Sequence, residues 1–256
     1  MTMRKLLLVF FIFSAASAAS AAESGTLSLS PAVVMLRGEH GQSTTQTLTL
    51  INGTTHPFSF DLVAQDVTVR DGKRVFAEAG TLPGSIAATA VFSQKEVHVA
   101  PGERVVVTMT VTLPPATEQR AIVALFRGTN RVMSGHVPMT ASLGALLTFA
   151  TSDNATLTTA ELKLRPQSAS ENLAVSHACT NSGREPLVAK GVLAILDASG
   201  SLIGRSALQP YRLLPGESAE LGGEYAGELD PGKYRVLVTY DYEGKTLTKS
   251  AEVTVE

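Results

Sequence analysis

Asn52-Gly-Thr-Thr-His-Pro57 recurs as Asn181-Ser-Gly-Arg-Glu-Pro186, and downstream of each copy stands the same tripeptide, Pro101-Gly102-Glu103 and Pro215-Gly216-Glu217. Each copy is flanked by runs rich in Val, Leu and Thr. Repeated turn chemistry between strand-like runs predicts two copies of one β domain. Asn tolerates left-handed backbone and bonds its own backbone two residues on, while Pro removes a ladder donor and pre-sets φ. Asn-(four residues)-Pro therefore ends one strand and starts the next at a defined corner. Pro-Gly supplies the residues that a type II turn prefers at its central positions. Both motifs are read as scaffold.

Working outward from these corners, period-two alternation marks strands. Leu48 and Leu50 alternate with Thr47 and Thr49; Phe58, Phe60 and Leu62 open a strand running to about Val69. Asp71-Gly72 and Glu243-Gly244 read as tight hairpin turns. Val105, Val107, Met109 and Val111 form a strong alternating strand, and Val137 to Phe149 supplies the last long one of the first copy. Leu27 to Leu36 carries Pro31 and suits an edge. Phe76 to Ala90, rich in Gly, Ala and Thr, reads as a long loop. Ser152 to Thr159 is polar and reads as the linker. In the second copy, Leu173, Val175, His177 and Cys179 share a face, Leu187 to Leu196 forms a strand, and Tyr234, Val236, Val238 and Tyr240 alternate. Leu48, Leu50, Val107, Met109, Val175, Val236 and Val238 are the expected core. No stretch shows a convincing helical period. Seven or so short strands per roughly 100 residues is the pattern of an immunoglobulin-like sandwich. The fold class is all-β: two tandem immunoglobulin-like β-sandwich domains, 23–150 and 151–256, after a cleaved signal peptide.

That signal is read over residues 1–22. Arg4 and Lys5 precede the apolar run Leu6 to Phe13, then Ser and Ala alone fill Ser14 to Ala22. Positive, apolar and small-residue regions in that order form the export pattern. Cleavage after Ala22 starts the mature chain at Glu23. The apolar run falls short of the ~20 residues that a membrane span needs, so no membrane insertion is expected after cleavage. Net charge is −2, which gives no reason to expect nucleic acid as a partner. Cys179 is the only cysteine, so an intrachain disulfide is excluded and the sandwiches rely on packing.

The first copy resembles the N-terminal domain of the periplasmic pilus-assembly chaperones, the PapD-like superfamily. The resemblance rests on Leu29-Ser-Pro-Ala-Val33, Thr47-Leu-Thr-Leu-Ile-Asn52 with Pro57, Val97-His-Val-Ala-Pro-Gly-Glu103, and Leu113-Pro-Pro115 before Ala124-Leu-Phe126. It covers most of 27–150, and the second copy fits the second sandwich of such chaperones. The resemblance implies a protein partner, a pilin-like or envelope subunit, bound by strand addition in pilus or surface-structure assembly. In strand addition, main-chain bonds supply affinity and alternate side chains supply specificity. In the matching region Leu143, Ala145, Leu147 and Phe149 alternate. They are either the first domain's own core or a partner-binding strand, and the resemblance implies the second. The family holds a terminal carboxylate with an Arg in the opening strand and a Lys near the end of the first domain. Ala32 stands at the Arg position and no Lys lies between Lys95 and Lys163. The partner is then not gripped by its carboxylate, and binding depends weakly on salt. Arg120, Arg127 and Arg131 are read as ordinary solvated charges.

Other constellations fall short of a site. Met133, His136 and Met139 offer soft ligands that suit copper, but Gly135 and Pro138 break any regular face. His177 and Cys179 are too few for a metal centre and read as a buried pair. No nucleophile elbow, zinc-protease or phosphate-loop motif occurs. Asn52-Gly-Thr54 and Asn154-Ala-Thr156 match the glycan-acceptor pattern. No catalytic residue, metal or cofactor is expected, and the oligomeric state is left open. Two function classes follow: a chaperone-like binding protein, or a structural or accessory protein of an envelope or surface assembly with its sandwiches as spacers.

Overall fold

The computed structural model describes residues 25–134, 137–168 and 170–256; the signal region read over 1–22 lies outside them. Twelve strands, β1 (Leu27–Ser30), β2 (Val33–Arg37), β3 (Ser43–Asn52), β4 (Phe58–Arg70), β5 (Lys73–Glu78), β6 (Val91–Phe92), β7 (Glu96–Val99), β8 (Arg104–Thr112), β9 (Ala121–Gly128), β10 (Val132–Ser134), β11 (Val137–Met139) and β12 (Leu143–Ala150), build the first half. One sheet has the order β1-β3-β8-β6; the other runs β2-β12-β9-β4-β5, with β7 also on β4. The opening segment serves both sheets, since β1 pairs with β3 and β2 pairs in parallel with β12. Between the sheets lies a core that includes Leu48, Leu50, Phe60, Val107, Met109 and Phe126.

The second half repeats the arrangement with β13 (Leu157–Thr159), β14 (Lys163–Arg165), β15 (Leu173–Asn181), β16 (Leu187–Leu196), β17 (Leu202–Ala207), β18 (Tyr211–Leu213), β19 (Ser218–Tyr225), β20 (Gly232–Tyr242) and β21 (Lys245–Val255). In one sheet β15 carries β13 and β14 on one side and β19 on the other; the second has the order β17-β16-β20-β21, with β18 on β16. A separate core includes Leu173, Val175, Leu193, Val236 and Val238. The chain is thus two immunoglobulin-like β-sandwiches in tandem. All seven residues expected in the core are buried, none above 3% exposure. Among the described residues the only helix is a 3-10 turn, Ala87–Thr89.

Two sequence expectations need correction. The expected loop from Phe76 onward begins later, because β5 continues to Glu78 with Phe76 opposite Val67. The loop that remains is pinned by a fully buried carboxylate. Asp66 accepts hydrogen bonds from Ser85 Oγ at 2.5 Å, Ile86 N at 2.9 Å and Ala87 N at 3.0 Å. Asp66→Ala strands those donors, and the first sandwich is expected to lose about 3 kcal/mol; an unchanged denaturation midpoint would contradict this. The expected linker is also shorter than Ser152 to Thr159. Ala155 and Leu157 are in the second core, and β13 already pairs with β15.

The repeated motifs prove to be two halves of one corner. Asn52 N donates to Glu103 O at 3.0 Å and Gly102 N donates to Asn52 O at 2.7 Å; in the second copy Asn181 N to Glu217 O is 3.0 Å and Gly216 N to Asn181 O is 2.8 Å. Both Asn side chains are buried. Asn52 Nδ2 donates to His56 O at 2.7 Å and Asn181 Nδ2 to Glu185 O at 2.8 Å. Gly102 and Gly216 sit at φ +74° and +76°, a conformation that glycine adopts without steric cost.

Candidate functional site: the outer face of the first sandwich and the joint beneath it

The strand singled out in the sequence, β12, points its alternating apolar side chains inward. Ala145, Leu147 and Phe149 are 0%, 0% and 5% exposed and belong to the first core, with Leu143 half-buried against it. Their burial fits the first of the two readings, the domain's own core: in a sandwich the apolar phase of a strand turns to the core. The main chain of β12 tells a different story. On one side β9 pairs with Leu143 to Thr148. On the other, β2 pairs only with Leu146 to Ala150. Leu146 N donates to Ala32 O at 2.9 Å, so by alternation Gly144 aims its main chain to that side and Leu143 and Ala145 aim theirs at β9; among the described residues Gly144 has no ladder partner there.

The opposite face of this sheet is unusually apolar. One row across five strands reads Val33, Leu146, Val123, Gln65 and Glu78, in register from β2 to β5. The next reads Gly144, Leu125 and Val63. The solvated face of an antiparallel sheet is ordinarily polar. Upstream of β12 the hairpin β10–β11 holds Met133, Val137 and Met139 at 51%, 61% and 49% exposure. Of these residues Val33 and the three of the hairpin are exposed, whereas Val123 is buried and Leu146 half-buried beneath the second sandwich.

The second sandwich closes one end of this face. Leu214 packs with Val67, Ala121 and Val123, with Val69 and Leu146 alongside. Around that small core run charged contacts that join the two halves. Glu185, 2% exposed, accepts from Arg120 Nε at 2.9 Å, Thr151 Oγ1 at 2.7 Å and Ser152 Oγ at 3.0 Å. Arg120 is therefore a buried partner in the joint, not the solvated charge expected from sequence. Arg127 and Arg131 are exposed, as expected. Arg74 Nε stands 2.9 Å from Glu217 Oε1 as an ion pair without hydrogen-bond alignment. Ser218 N donates to Gly72 O at 2.9 Å, and Arg74 donates to Arg212 O at 2.6 Å. The Asp71-Gly72 hairpin of the first sandwich thus sits on the Pro-Gly-Glu corner of the second.

Arg212 donates to Thr148 Oγ1 at 2.5 Å and faces a cleft of about 800 Å³ lined also by Arg37, Lys190 and Glu243. Burial pushes its pKa down and the neighbouring Arg74 pushes it further. Among the described residues no carboxylate lies within ion-pair distance of Arg212, whereas Arg37 pairs with Glu243 and Asp153. Sequence reading missed Arg120, Arg74, Arg212, Glu185 and Glu217. The one available signal was Glu185, which stands in the second Asn-Pro motif where the first has His56.

Among the described residues no three His, Cys, Asp or Glu side chains converge. His136, of the Met133, His136 and Met139 set, lies outside the described residues. His177 and Cys179 are core residues. Burial pushes the Cys179 thiol up to about 11, so it stays protonated and unreactive at neutral pH. Among the described residues no helix is long and apolar enough to cross a membrane.

No family model matches the sequence, and no curated protein matches it. Solved structures do align along most of its length. A chaperone–tip adhesion subunit pre-assembly complex from the archaic chaperone-usher Csu pili of Acinetobacter baumannii aligns over 88% of this chain and 98% of the other, at 9% identity and a TM-score of 0.47. A class 5 fimbriae chaperone aligns over 90% and 99%, at 11% identity and a TM-score of 0.44. An E. coli chaperone aligns over 90% and 99%, at 16% identity and a TM-score of 0.43.

Proposed function

We propose that this chain is an exported, non-enzymatic, chaperone-like protein that holds a protein partner by strand addition, in the assembly of pili or related surface structures. The observation that carries the reading is the half-free edge of β12. Gly144 offers an unpaired main chain where the strand leaves an exposed apolar hairpin, while Leu143 and Ala145 turn theirs to β9. A bare edge of this kind invites another strand. An incoming pilin-like or envelope segment pairs with that edge, while Val137, Met139 and Leu143 supply apolar side chains. Leu147 and Phe149 serve the core and leave the edge rigid. The joint of the second sandwich keeps one end of the face closed.

The test is capture of a partner from extracts of the cells that make the protein, followed by amide exchange. Val137→Asp with Met139→Asp is expected to weaken capture at least tenfold. Both side chains are exposed, so stability should stay within about 0.5 kcal/mol of the parent. In the captured complex the amide of Gly144 should become protected. Undiminished capture by the double variant, with protection elsewhere, would sink the reading and favour sandwiches that act as spacers in an envelope assembly. The rigid joint already suits that second role.

A further inference from the structure

A polar bridge crosses the core of the second sandwich. His177 on β15 and Tyr240 on β20 are 0% and 2% exposed. His177 Nε2 lies 3.0 Å from Tyr240 Oη, and the rings stack with centroids 5.5 Å apart at 21°. Nδ1 makes no well-aligned hydrogen bond; the Ala160 main chain beside the ring favours its charged form, and burial outweighs it. The titratable and charged groups around the ring are Cys179 on β15, Tyr240 on β20, Glu220 on β19 and Lys249 on β21. Glu220 is committed to Ser176 at 2.8 Å and Lys163 at 3.3 Å, and Lys249 to Glu161 at 3.2 Å. From β13, Thr159 adds a hydroxyl that is itself buried without a partner. A neutral imidazole fits this setting. An imidazolium would be a buried charge with no anion in contact, a costly state.

The bridge is mechanically close to the joint. β15 ends at Asn181, four positions beyond His177, and Asn181 anchors the corner whose Glu185 and Glu217 hold Arg120 and Arg74 of the first sandwich. We propose that His177 makes the second sandwich an acid-released clamp: protonation of the ring loosens β15 against β20 and frees the corner that grips the first sandwich. This is independent of which partner the first sandwich binds.

The sign follows from burial, which holds the His177 pKa below its ordinary 6.5. The unfolded chain then takes up a proton more readily than the folded one. The stabilisation is complete above the ordinary histidine range and is lost as pH falls below it.

The experiment is thermal unfolding of the full mature chain at about pH 7.5 and about pH 5, either side of the histidine range. It compares the parent with His177→Gln, which keeps a polar contact for Tyr240, and His177→Leu, which keeps the volume. The parent is expected to lose about 5 °C or more of Tm on acidification beyond whatever the variants lose. Proteolysis in the 151–154 stretch at the acid pH should be faster in the parent than in His177→Gln. Should neither variant fold, the His177 ring resonance of the parent decides: it should stay neutral in the folded protein down to the onset of unfolding. An equal acid loss in parent and variants, or a ring that titrates near its ordinary pKa in a still-folded protein, would overturn the proposal.

Discussion

Val107→Asp should abolish folding of the first sandwich. Val107 is fully buried on β8, directly opposite Leu48 on β3 and at the centre of the first core. A carboxylate there has no cation or donor waiting for it. Burying an unpaired charge costs several kcal/mol at least, and the whole stability of such a domain is about 5–15 kcal/mol. Circular dichroism and denaturant unfolding of the purified variant provide the measurement. A soluble variant with the parent's unfolding midpoint would mean that Val107 does not face the core. The neighbouring Val106, exposed on the other face of the same strand, is the control: Val106→Asp should change stability by no more than about 0.5 kcal/mol.

Glu185→Ala should uncouple the two sandwiches. Glu185 accepts five hydrogen bonds at the joint, from Arg120 Nε and Nη2, Thr151 N and Oγ1, and Ser152 Oγ. The Arg120 side chain is only 12% exposed. Removing one member of a buried ion pair leaves an uncompensated charge, a loss of about 3–5 kcal/mol. The expected result in calorimetry is a low-temperature transition separated from the main one, together with greater freedom between the halves in small-angle scattering. Arg120→Met combined with Glu185→Leu should recover most of the loss, because apolar residues of similar size often replace a buried ion pair without penalty. A single unshifted transition in Glu185→Ala would show that the apolar contacts of Leu214 hold the joint unaided.

The contrast between the two copies of the corner explains how far the sequence could be read. Asn52 and Asn181, with Gly102 and Gly216, stand in motifs whose turn chemistry is visible in the residues themselves, although each Asn closes on its Gly across the fold. Strand phase was visible for the same reason, since alternation is a property of consecutive residues, and Leu48, Val107, Val175 and Val238 all fall on the buried side. The site was less legible. Leu143, Ala145, Leu147 and Phe149 carry the same alternation whether a strand fills its own core or offers itself to another chain. Alternation says that one face is buried and does not say by what.

The two-sandwich plan, the corner motifs and the core face of each strand were thus legible in the residues, because alternation and turn chemistry are written in consecutive positions. The rest came from contacts between distant segments. β2 covers one half of the β12 edge and leaves Gly144 unpaired on that side, a matter of where two segments more than 100 positions apart in the chain meet. Arg120 meets Glu185 and Arg74 meets Glu217 across still different separations. An Arg or Glu in a sequence is a solvated charge by default, and only docking of one sandwich on the other removes the water that makes it so. The first copy keeps His56 and Glu103 on the surface, while its counterpart buries Glu185 and Glu217. The same corner is a free end in one sandwich and a joint in the other, because nothing docks on the first and the whole first sandwich docks on the second.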